Sequence, residues 1–451
     1  MDNMSTKTYA FILGRERDLC LAELNAVLDR FCFCNPERSR TGDITSVREN
    51  TVFINIAQNS DLSVGMLAEI LGGTTKIFEI VGDLNHYERV ISATLLEKGK
   101  AGGKIDFGIS SFNPSFSMKK INEIGINIKK SLKGQLSCRF VALREGTELS
   151  TILSLKEKLI GKGAEFGFFG KSIGILVGLS NPIEWSTRDY EKPAGDKYSG
   201  MLPPKLARIM INLALGASKK NNNSEFLISN QSPSPSVQNP EGLTLEILNS
   251  SLRPLVVDSF CGSGNVLMEA LMLGCDVFGS DNSEKAAKDA KANVQWLLQN
   301  PNYKIQIINK NPNPKIQIQE LDATSEELIR NLKLEIRNYD DILVVCEPYL
   351  GEPKKFKPSE NSARGEYRKI EELYLKFFNN FTNFINLTNF RLPVVFCMVF
   401  PLVELENGKQ YSLYRESVDE IAKIGYTELQ QPLIYGREYQ VVKREIALLK
   451  L

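Results

Sequence analysis

The stretch LVVDSFCGSG, residues 255–264, places a glycine-containing loop directly after a short apolar strand. An amphipathic helix, NVLMEALMLG, follows the loop, and a second apolar strand, CDVFGSD, follows the helix. Strands and helices that alternate in this way predict a parallel, doubly wound α/β sheet. The loop then lies at the carboxyl ends of the strands, where such sheets bind their ligands.

The same alternation continues toward the end of the chain. A helix in SEKAAKDAKANVQWLLQ precedes a short strand ending in QELDA, a helix in SEELIRNLKLEIR and a strand in DDILVVCEPY. The runs PVVFCMVF and REYQVVKREIALLKL suit the last strands of the sheet. We therefore predict a Rossmann-like domain over residues 205–451. Two Asn-rich segments, 219–240 and 299–317, are predicted to be insertions in this domain.

The N-terminal half of the chain has a different, α+β pattern. Residues 1–85 indicate a βαββαβ-like succession, which predicts a small ferredoxin-like unit. Residues 86–185 continue with further strands and helices, among them a strand in IDFGISSF and a strand pair in EFGFFGKSIGILVGL. The segment 186–204 mixes Pro, Gly and charged residues, so it is predicted to be a linker between domains.

Composition excludes several classes of mechanism. The chain of 451 residues contains one histidine, His86, which excludes sites built from several histidines. Eight cysteines show no zinc spacing, so we expect reduced thiols and no metal. The first residues lack a signal-peptide pattern, and no apolar run is long enough to span a bilayer, so a cytoplasmic protein is expected. The net charge of +1 leaves a nucleic-acid partner to local basic patches.

Acidic residues end three successive strands of the predicted sheet. Gly262 and Gly264 allow close approach of a ligand to the loop, which also contains Phe260 and Cys261. Asp258 suits a cationic or hydroxyl-bearing group, Asp281 a ribose, and the pair Asp322 and Ala323 an adenine. Neither GxGxxG nor GxxxxGK(S/T) is present. The pattern predicts a site for S-adenosylmethionine, and the alternative is an ordinary tight turn.

The fourth strand ends in CEPYLG, residues 346–351. This resembles the D/N-P-P-Y/F/W signature of amino methyltransferases. The resemblance implies that an acidic or amide side chain and a proline carbonyl accept hydrogen bonds from an exocyclic amine, while the aromatic ring stacks on a flipped-out base. Such a site needs no histidine. Glu347, Pro348 and Tyr349 are the predicted catalytic residues.

Further segments extend the resemblance over most of the chain. RDY at 188–190, MLPPKLARIMINLA at 201–214, DSFCGSG and the closing PLIYGREYQVVKREI together look similar to the THUMP-containing tRNA guanine N2-methyltransferase family. The resemblance implies a THUMP domain over residues 86–185, tRNA as the partner and methylation of guanine N2. One departure is that Cys346 stands where the family has aspartate, with Glu347 beside it.

Basic residues give candidate RNA contacts. Arg139 and Arg144 follow a lysine-rich predicted helix, while Arg188 and Lys205 flank the predicted linker. A solvated helix face explains the lysines equally well. Two alternative functions stay open: a THUMP-type tRNA-binding protein with an inactive methyltransferase domain, and a DNA amino methyltransferase.

Overall fold

The structure, a computed structural model, is a mixed α/β protein in two compact units. It describes residues 6–33, 42–57, 64–195, 201–222, 253–335, 339, 341–388 and 394–451. The first unit comprises residues 1–24 and 35–187, and the second comprises 25–34 and 188–451. Each unit contains one eight-stranded sheet. Most of the predicted insertion at 219–240 lies outside the described residues.

The first unit is built on a mixed sheet. Its strands are β1 (Thr6–Leu13), β2 (Gly42–Arg48), β3 (Thr51–Ala57), β4 (Thr74–Asp83), β5 (Ile105–Ser111), β6 (Cys138–Val141), β7 (Ala164–Phe169) and β8 (Ser172–Leu179). Its helices are α1 (Arg17–Phe33), α2 (Val64–Ile70), α3 (Tyr87–Gly99), α4 (Met118–Ser131), α5 (Thr151–Lys156) and α6 (Pro182–Tyr190), of which α1 and α6 extend into the second unit. A 3-10 turn spans Leu84–His86.

The strand order of this sheet is β2-β3-β1-β4-β8-β7-β5-β6. Helix α4 begins where the sequence indicates, because Ser117 caps its first turn, and it buries Ile121, Ile124 and Ile128 against the sheet. The sheet continues across residue 85, since β4 pairs with β8. The division of this half into ferredoxin-like and THUMP parts stays a prediction.

The second unit contains the alternating elements. Its strands are β9 (Leu255–Asp258), β10 (Asp276–Asp281), β11 (Ile316–Glu320), β12 (Ile342–Cys346), β13 (Val394–Glu404), β14 (Gln410–Ser412), β15 (Thr427–Tyr435) and β16 (Val442–Lys450). Its helices are α7 (Pro204–Asn222), α8 (Asn265–Met272), α9 (Glu284–Gln299), α10 (Pro301–Lys310), α11 (Glu326–Glu335), α12 (Glu360–Thr388) and α13 (Leu413–Ile424).

The strand order of the second sheet is β11-β10-β9-β12-β13-β16-β15, with β14 paired to the end of β13. The first five of these strands are parallel, as the sequence predicts. β16 instead runs antiparallel between β13 and β15. Chain order reverses between β9 and β12, so the carboxyl ends of these two strands mark the switch point where open α/β sheets bind ligands.

One helix of this unit differs from the sequence-based expectation, and a second lies where the sequence analysis predicted no element. The predicted insertion at 299–317 contains the regular helix α10, which Asn300 caps and Pro301 starts, and which buries Tyr303 and Ile307. The long helix α12 covers one face of the sheet with a row of aromatic side chains. Within the described residues, no helix is both long and apolar enough to cross a membrane.

Candidate active site

The loop between β9 and α8 requires glycine at two positions. Gly264 has a φ of +83°, and a Cβ atom there would lie 3.2 Å from both Cα and Cβ of Ala290 on α9. Gly262 has a φ of +49°, but a Cβ atom there would meet nothing within 4 Å. Left-handed backbone favours glycine at both places. Gly264 therefore permits close helix packing, while Gly262 leaves open space above the loop.

The carboxylate of Asp281 fixes the shape of this loop. Its Oδ2 accepts a hydrogen bond from the Gly262 amide at 2.9 Å, and its Oδ1 accepts one from the Ser283 amide at 3.0 Å. The Cys261 amide donates to the Ser280 carbonyl at 2.9 Å. Each carboxylate oxygen keeps acceptor capacity after one such bond. Asp281 thus supports the loop and can still bind a hydroxyl group.

Asp258 is a buried carboxyl group with few hydrogen bonds to offset the cost of its burial. Its Oδ1 accepts a hydrogen bond from the Phe260 amide at 3.2 Å, and among the described residues it forms no ion pair. Burial, together with the nearby charges of Asp281 and Glu347, holds the pKa of Asp258 well above its usual value. A cationic group bound beside Asp258 would relieve this shortage of positive charge.

Asp322 and Ala323 follow β11, at the same edge of the sheet. Asp322 is exposed, and its Oδ1 accepts hydrogen bonds from the amide and the hydroxyl of Thr324 at 2.7 and 2.8 Å. Ala323 is buried in the core. The Asp322 side chain therefore shapes a local turn, and its role toward a ligand stays a prediction.

Residues of the predicted linker lie against the glycine loop. Asn293 of α9 donates to the carbonyls of Ala194 and Ser263 at 2.7 and 2.8 Å, and so ties the two segments together. Asn265 donates to the Leu202 carbonyl at 2.6 Å. The described part of segment 188–204 is thus a wall of the candidate site, which its Pro- and Gly-rich composition did not indicate.

The structure separates the two candidate acceptors at the end of β12. Cys346 is fully buried in the core beneath α12, and this burial raises the pKa of its thiol well above the usual value. The carboxylate of Glu347 instead meets Arg444 of β16, whose Nε donates to Oε1 at 2.5 Å and whose Nη2 donates to Oε2 at 3.4 Å. Cys346 is therefore enclosed in the core, whereas Glu347 keeps a partly exposed, ion-paired carboxylate at the end of the strand.

Two opposing effects act on the Glu347 carboxyl group. Burial raises its pKa, the Arg444 guanidinium lowers it, and the net shift is upward. The side chains of Glu347 and Arg444 are 13% and 14% exposed, so this pair is shielded from solvent much more than a surface ion pair. Arg444 was not recognised in the sequence, because 97 residues separate it from Glu347.

The rest of the CEPYLG loop is anchored by α12. Pro348 is buried, and the carbonyl of Tyr349 accepts a hydrogen bond from the Tyr374 hydroxyl at 3.0 Å. The Tyr349 side chain is 52% exposed, and its hydroxyl donates to Glu352 at 3.0 Å. The backbone is therefore held in place while the ring remains accessible for stacking.

Aromatic packing also supports the glycine loop. The ring of Phe260 is half-buried and lies edge-on to Phe377 of α12, with 5.2 Å between centroids. Cys261 is buried, and burial holds the pKa of its thiol well above the usual value. These two side chains line the core side of the loop. Among the described residues, no cluster of His, Cys, Asp and Glu could hold a metal ion.

Two of the predicted RNA contacts lie in the first unit. The Arg139 guanidinium donates to both oxygens of Asp106, at 3.0 and 2.7 Å, and also contacts Glu157. Two carboxylates thus offset its charge, which weakens the expectation that it binds phosphate. Arg144 is exposed in the loop after β6 and stays a candidate.

The other two predicted RNA contacts belong to the second unit. Arg188 is buried, and its Nε donates to Oε1 of Glu269 at 2.6 Å, while Arg208 donates to Oε2 at 2.5 Å. The Arg188 guanidinium belongs to a buried ion triad, which weakens the expectation of an RNA contact at Arg188. Lys205 lies half-buried in the first turn of α7 and stays a prediction.

Comparisons with known proteins give only distant likenesses. No family model matches the sequence, and no curated protein matches it. The chain is similar to magnesium protoporphyrin IX methyltransferase from Synechocystis PCC 6803 with bound SAM, at 14% identity over 44% of this chain and 69% of that chain, with a TM-score of 0.24. It is also similar to PH1313 from Pyrococcus horikoshii Ot3, at 10% identity over 82% of this chain and 92% of that chain, with a TM-score of 0.30.

A third similar structure is the Pyrococcus abyssi tRNA (uracil-54, C5)-methyltransferase in complex with S-adenosyl-L-homocysteine. It shares 12% identity over 44% of this chain and 34% of that chain, with a TM-score of 0.24. Scores and identities this low carry no argument about activity. The function proposed below is therefore argued from the residues of this chain.

Proposed function

We propose that the chain is an S-adenosylmethionine-dependent methyltransferase that acts on an exocyclic amine of a tRNA base, namely N2 of guanine. The observation that carries the proposal is the pairing of two features at one sheet edge. A glycine loop with two carboxyl groups that form no ion pair among the described residues, Asp258 and Asp281, lies beside Glu347, Pro348 and Tyr349. The first feature suits a cationic nucleoside, and the second suits a planar base that bears an amine.

The topology of the second sheet supports this class of enzyme. Dinucleotide-binding sheets have the parallel order 3-2-1-4-5-6, whereas this sheet inserts a reversed final strand, β16, between β13 and β15. The sheet is thus an open α/β sheet that differs from the dinucleotide-binding order at its last two strands, in line with the absence of a GxGxxG loop. The topology supports the fold class alone, and the choice of reaction rests on the site.

The residues of the loop fit the cofactor in three respects. Gly262 offers open space for close approach, and Asp281 offers acceptors for ribose hydroxyls. Among the described residues, the buried hydroxyls of Ser259 and Ser280 have no hydrogen-bond partner, so polar groups beside the loop are left unsatisfied. Asp322 and Ala323 are assigned to the adenine. When bound, S-adenosylmethionine supplies an electrophilic methyl group on a positively charged sulfur.

Glu347 and its neighbours position the amine. One carboxylate oxygen of Glu347 accepts a hydrogen bond from an amine N–H, which directs the nitrogen lone pair toward the methyl group. Tyr349 stacks on the base with its exposed ring, and its backbone is held by Tyr374. When the nitrogen gains the methyl group it carries a positive charge, and Glu347 is placed to accept the proton that it then loses.

The choice of tRNA as the substrate and of guanine N2 as the methylated atom rests on a sequence resemblance. RDY, MLPPKLARIMINLA and the closing PLIYGREYQVVKREI resemble the THUMP-containing family. A tRNA-binding protein without methyl transfer is the second candidate function. One observation favours it: Arg444 already occupies Glu347 and competes with an amine for the carboxylate. The two candidates differ in turnover, and both predict binding of tRNA.

The test is incubation of the purified protein with methyl-labelled S-adenosylmethionine and bulk tRNA, followed by digestion and separation of nucleosides. The proposal expects label in N2-methylguanosine and none in duplex DNA. Label in DNA alone would support the DNA amino methyltransferase. The absence of label, with cofactor and tRNA binding retained, would support the RNA-binding protein.

A further inference from the structure

Lys192 is a buried lysine that the proposed chemistry does not use. It follows α6 within the wall of the candidate site and is 4% exposed. Its ammonium donates to the amide oxygen of Asn265 and lies 3.5 Å from the hydroxyl of Ser263. Ser263 lies in the glycine loop and Asn265 is the first residue of α8, so Lys192 places a positive charge at the end of the loop.

This charge has no counter-ion in contact. Within the described residues Lys192 forms no ion pair, and its hydrogen-bond partners are neutral oxygens. Glu269 acts on Lys192 only through space and is already bound by two arginines. Asp189 likewise acts at a distance. Burial without a counter-ion is unfavourable for an ammonium group, and it lowers the pKa of Lys192 to about 8.

The start of α8 adds to the positive potential. Gly264 is the N-cap residue and has no side chain to bond the free amides of the first turn. Unsatisfied amides at a helix N-terminus favour anions. The buried ammonium group of Lys192 and this helix end therefore form a positively polarised site with no carboxylate in contact with the ammonium group among the described residues.

The start of the loop carries acidic residues. Asp258 accepts the Phe260 amide and Asp281 accepts the Gly262 amide, and among the described residues neither carboxyl group forms an ion pair. The loop thus has Asp258 at its start, while Lys192 contacts Ser263 and Asn265 at its end. A ligand that carries both signs of charge, with its carboxylate at one end, matches this distribution.

We infer that Lys192 binds the carboxylate of the amino-acid portion of the cofactor. The inference rests on the proposed function and extends it by assigning a carboxylate subsite to a residue outside the glycine loop. Asn265 and Ser263 orient the ammonium group until the carboxylate arrives. Because Lys192 acts on one end of the ligand, its contribution depends on that end being present.

The experiment compares two ligands that differ only in this end. S-adenosylhomocysteine carries the amino-acid portion, and 5′-deoxy-5′-methylthioadenosine lacks it. Titration calorimetry measures both dissociation constants for the wild type, Lys192→Met, Lys192→Arg and the control Lys291→Met, whose side chain is exposed on α9. Thermal unfolding of each variant confirms that it folds.

Lys192→Met is expected to weaken S-adenosylhomocysteine roughly 10- to 100-fold, because a charge-assisted hydrogen bond is lost. Methylthioadenosine should change less than about 2-fold, and Lys192→Arg should restore most of the difference. Wild-type affinity for S-adenosylhomocysteine should also fall as the pH rises past about 8, the pKa of free Lys192, with no such fall in Lys192→Met.

Two outcomes overturn the inference. Equal weakening of both ligands would show that Lys192 only supports the loop, and unchanged affinity for S-adenosylhomocysteine would remove Lys192 from the site. If Lys192→Met does not fold, the two ligands are compared in Lys192→Arg instead. The pH dependence of S-adenosylhomocysteine affinity in the wild type then tests the role of the ammonium group. A wild type that binds neither ligand would instead overturn the proposed function itself.

Discussion

Arg444 of β16 reaches across β13 to Glu347, and its Nε lies 2.5 Å from Oε1 of the carboxylate. The second contact, from Nη2 to Oε2, is longer at 3.4 Å, so Oε2 keeps most of its capacity to accept another hydrogen bond. The ion pair thus orients Glu347 and counters the effect of burial on its pKa. It leaves one oxygen for an amine.

Replacement of Arg444 should shift the pH dependence of methyl transfer. Glu347 acts in its ionised form, and Arg444 lowers its pKa, so Arg444→Met should raise that pKa. The rise of activity with pH should then occur at higher pH than in the wild type. Single-turnover rates measured across pH test this. Arg444→Lys should shift less, and the exposed Arg368→Met should not shift; an unchanged profile in Arg444→Met would contradict the role.

Restoring the aspartate of the family pattern should not help this protein. The Cys346 side chain lies in the apolar core, so Cys346→Asp would bury a carboxyl group without partners and lower the free energy of unfolding by about 3 kcal/mol or more. Cys346→Ala should cost about 1 kcal/mol and keep turnover near normal. Chemical denaturation and turnover assays check both. Faster turnover in Cys346→Asp would return the acceptor role to position 346.

Gly264 and Gly365 should respond oppositely to alanine. Gly264→Ala forces a left-handed backbone and a contact with Ala290, so it should reduce the free energy of unfolding by about 1 kcal/mol or more and weaken cofactor binding. Gly365 lies within α12, with open space around a Cβ atom, so Gly365→Ala should stabilise by about 0.5–1 kcal/mol. Denaturation midpoints compare the two, and equal effects would contradict the packing described for the loop.

Asp281→Ala should weaken cofactor affinity by roughly 1–3 kcal/mol, because the ribose loses an acceptor. The Gly262 and Ser283 amides also lose theirs, so Asp281→Asn, which keeps one oxygen, should weaken binding less. Calorimetry with S-adenosylhomocysteine measures both variants. Full affinity in Asp281→Ala would exclude Asp281 from the cofactor site.

Local patterns predicted the centre of the second unit. β9, the glycine loop and α8 are consecutive in sequence, and strand-end carboxylates follow from the period of each βα unit, so the positions of Asp258 and Asp281 beside the loop could be predicted without a structure. Helix α12 was missed because its aromatic and Asn-rich sequence favours strand or loop locally. Its buried positions nevertheless recur every three or four residues, as Tyr374, Phe377, Phe378 and Phe381 show.

Contacts between distant segments could not be predicted. Lys192 precedes Asn265 by 73 residues, and Glu347 precedes Arg444 by 97. Composition made the first segment look like a linker, and nothing local distinguishes Arg444 from its neighbours on β16. The ion pair of Arg188 could not be predicted for the same reason, since only folding brings it to Glu269. A charged residue in a single sequence does not reveal which opposite charge will neutralise it.

The central claim is that Glu347 accepts the hydrogen bond of a guanine amine in a methyl-transfer site. The most direct measurement is the single-turnover rate of N2-methylguanosine formation in tRNA by the wild type and by Glu347→Gln, with S-adenosylhomocysteine affinity measured for both. The account predicts labelled N2-methylguanosine in the wild type and a rate at least about 100-fold lower in the variant. The affinity for S-adenosylhomocysteine should be nearly equal in the two proteins. Equal rates in the two proteins, or no labelled product in the wild type, would contradict it.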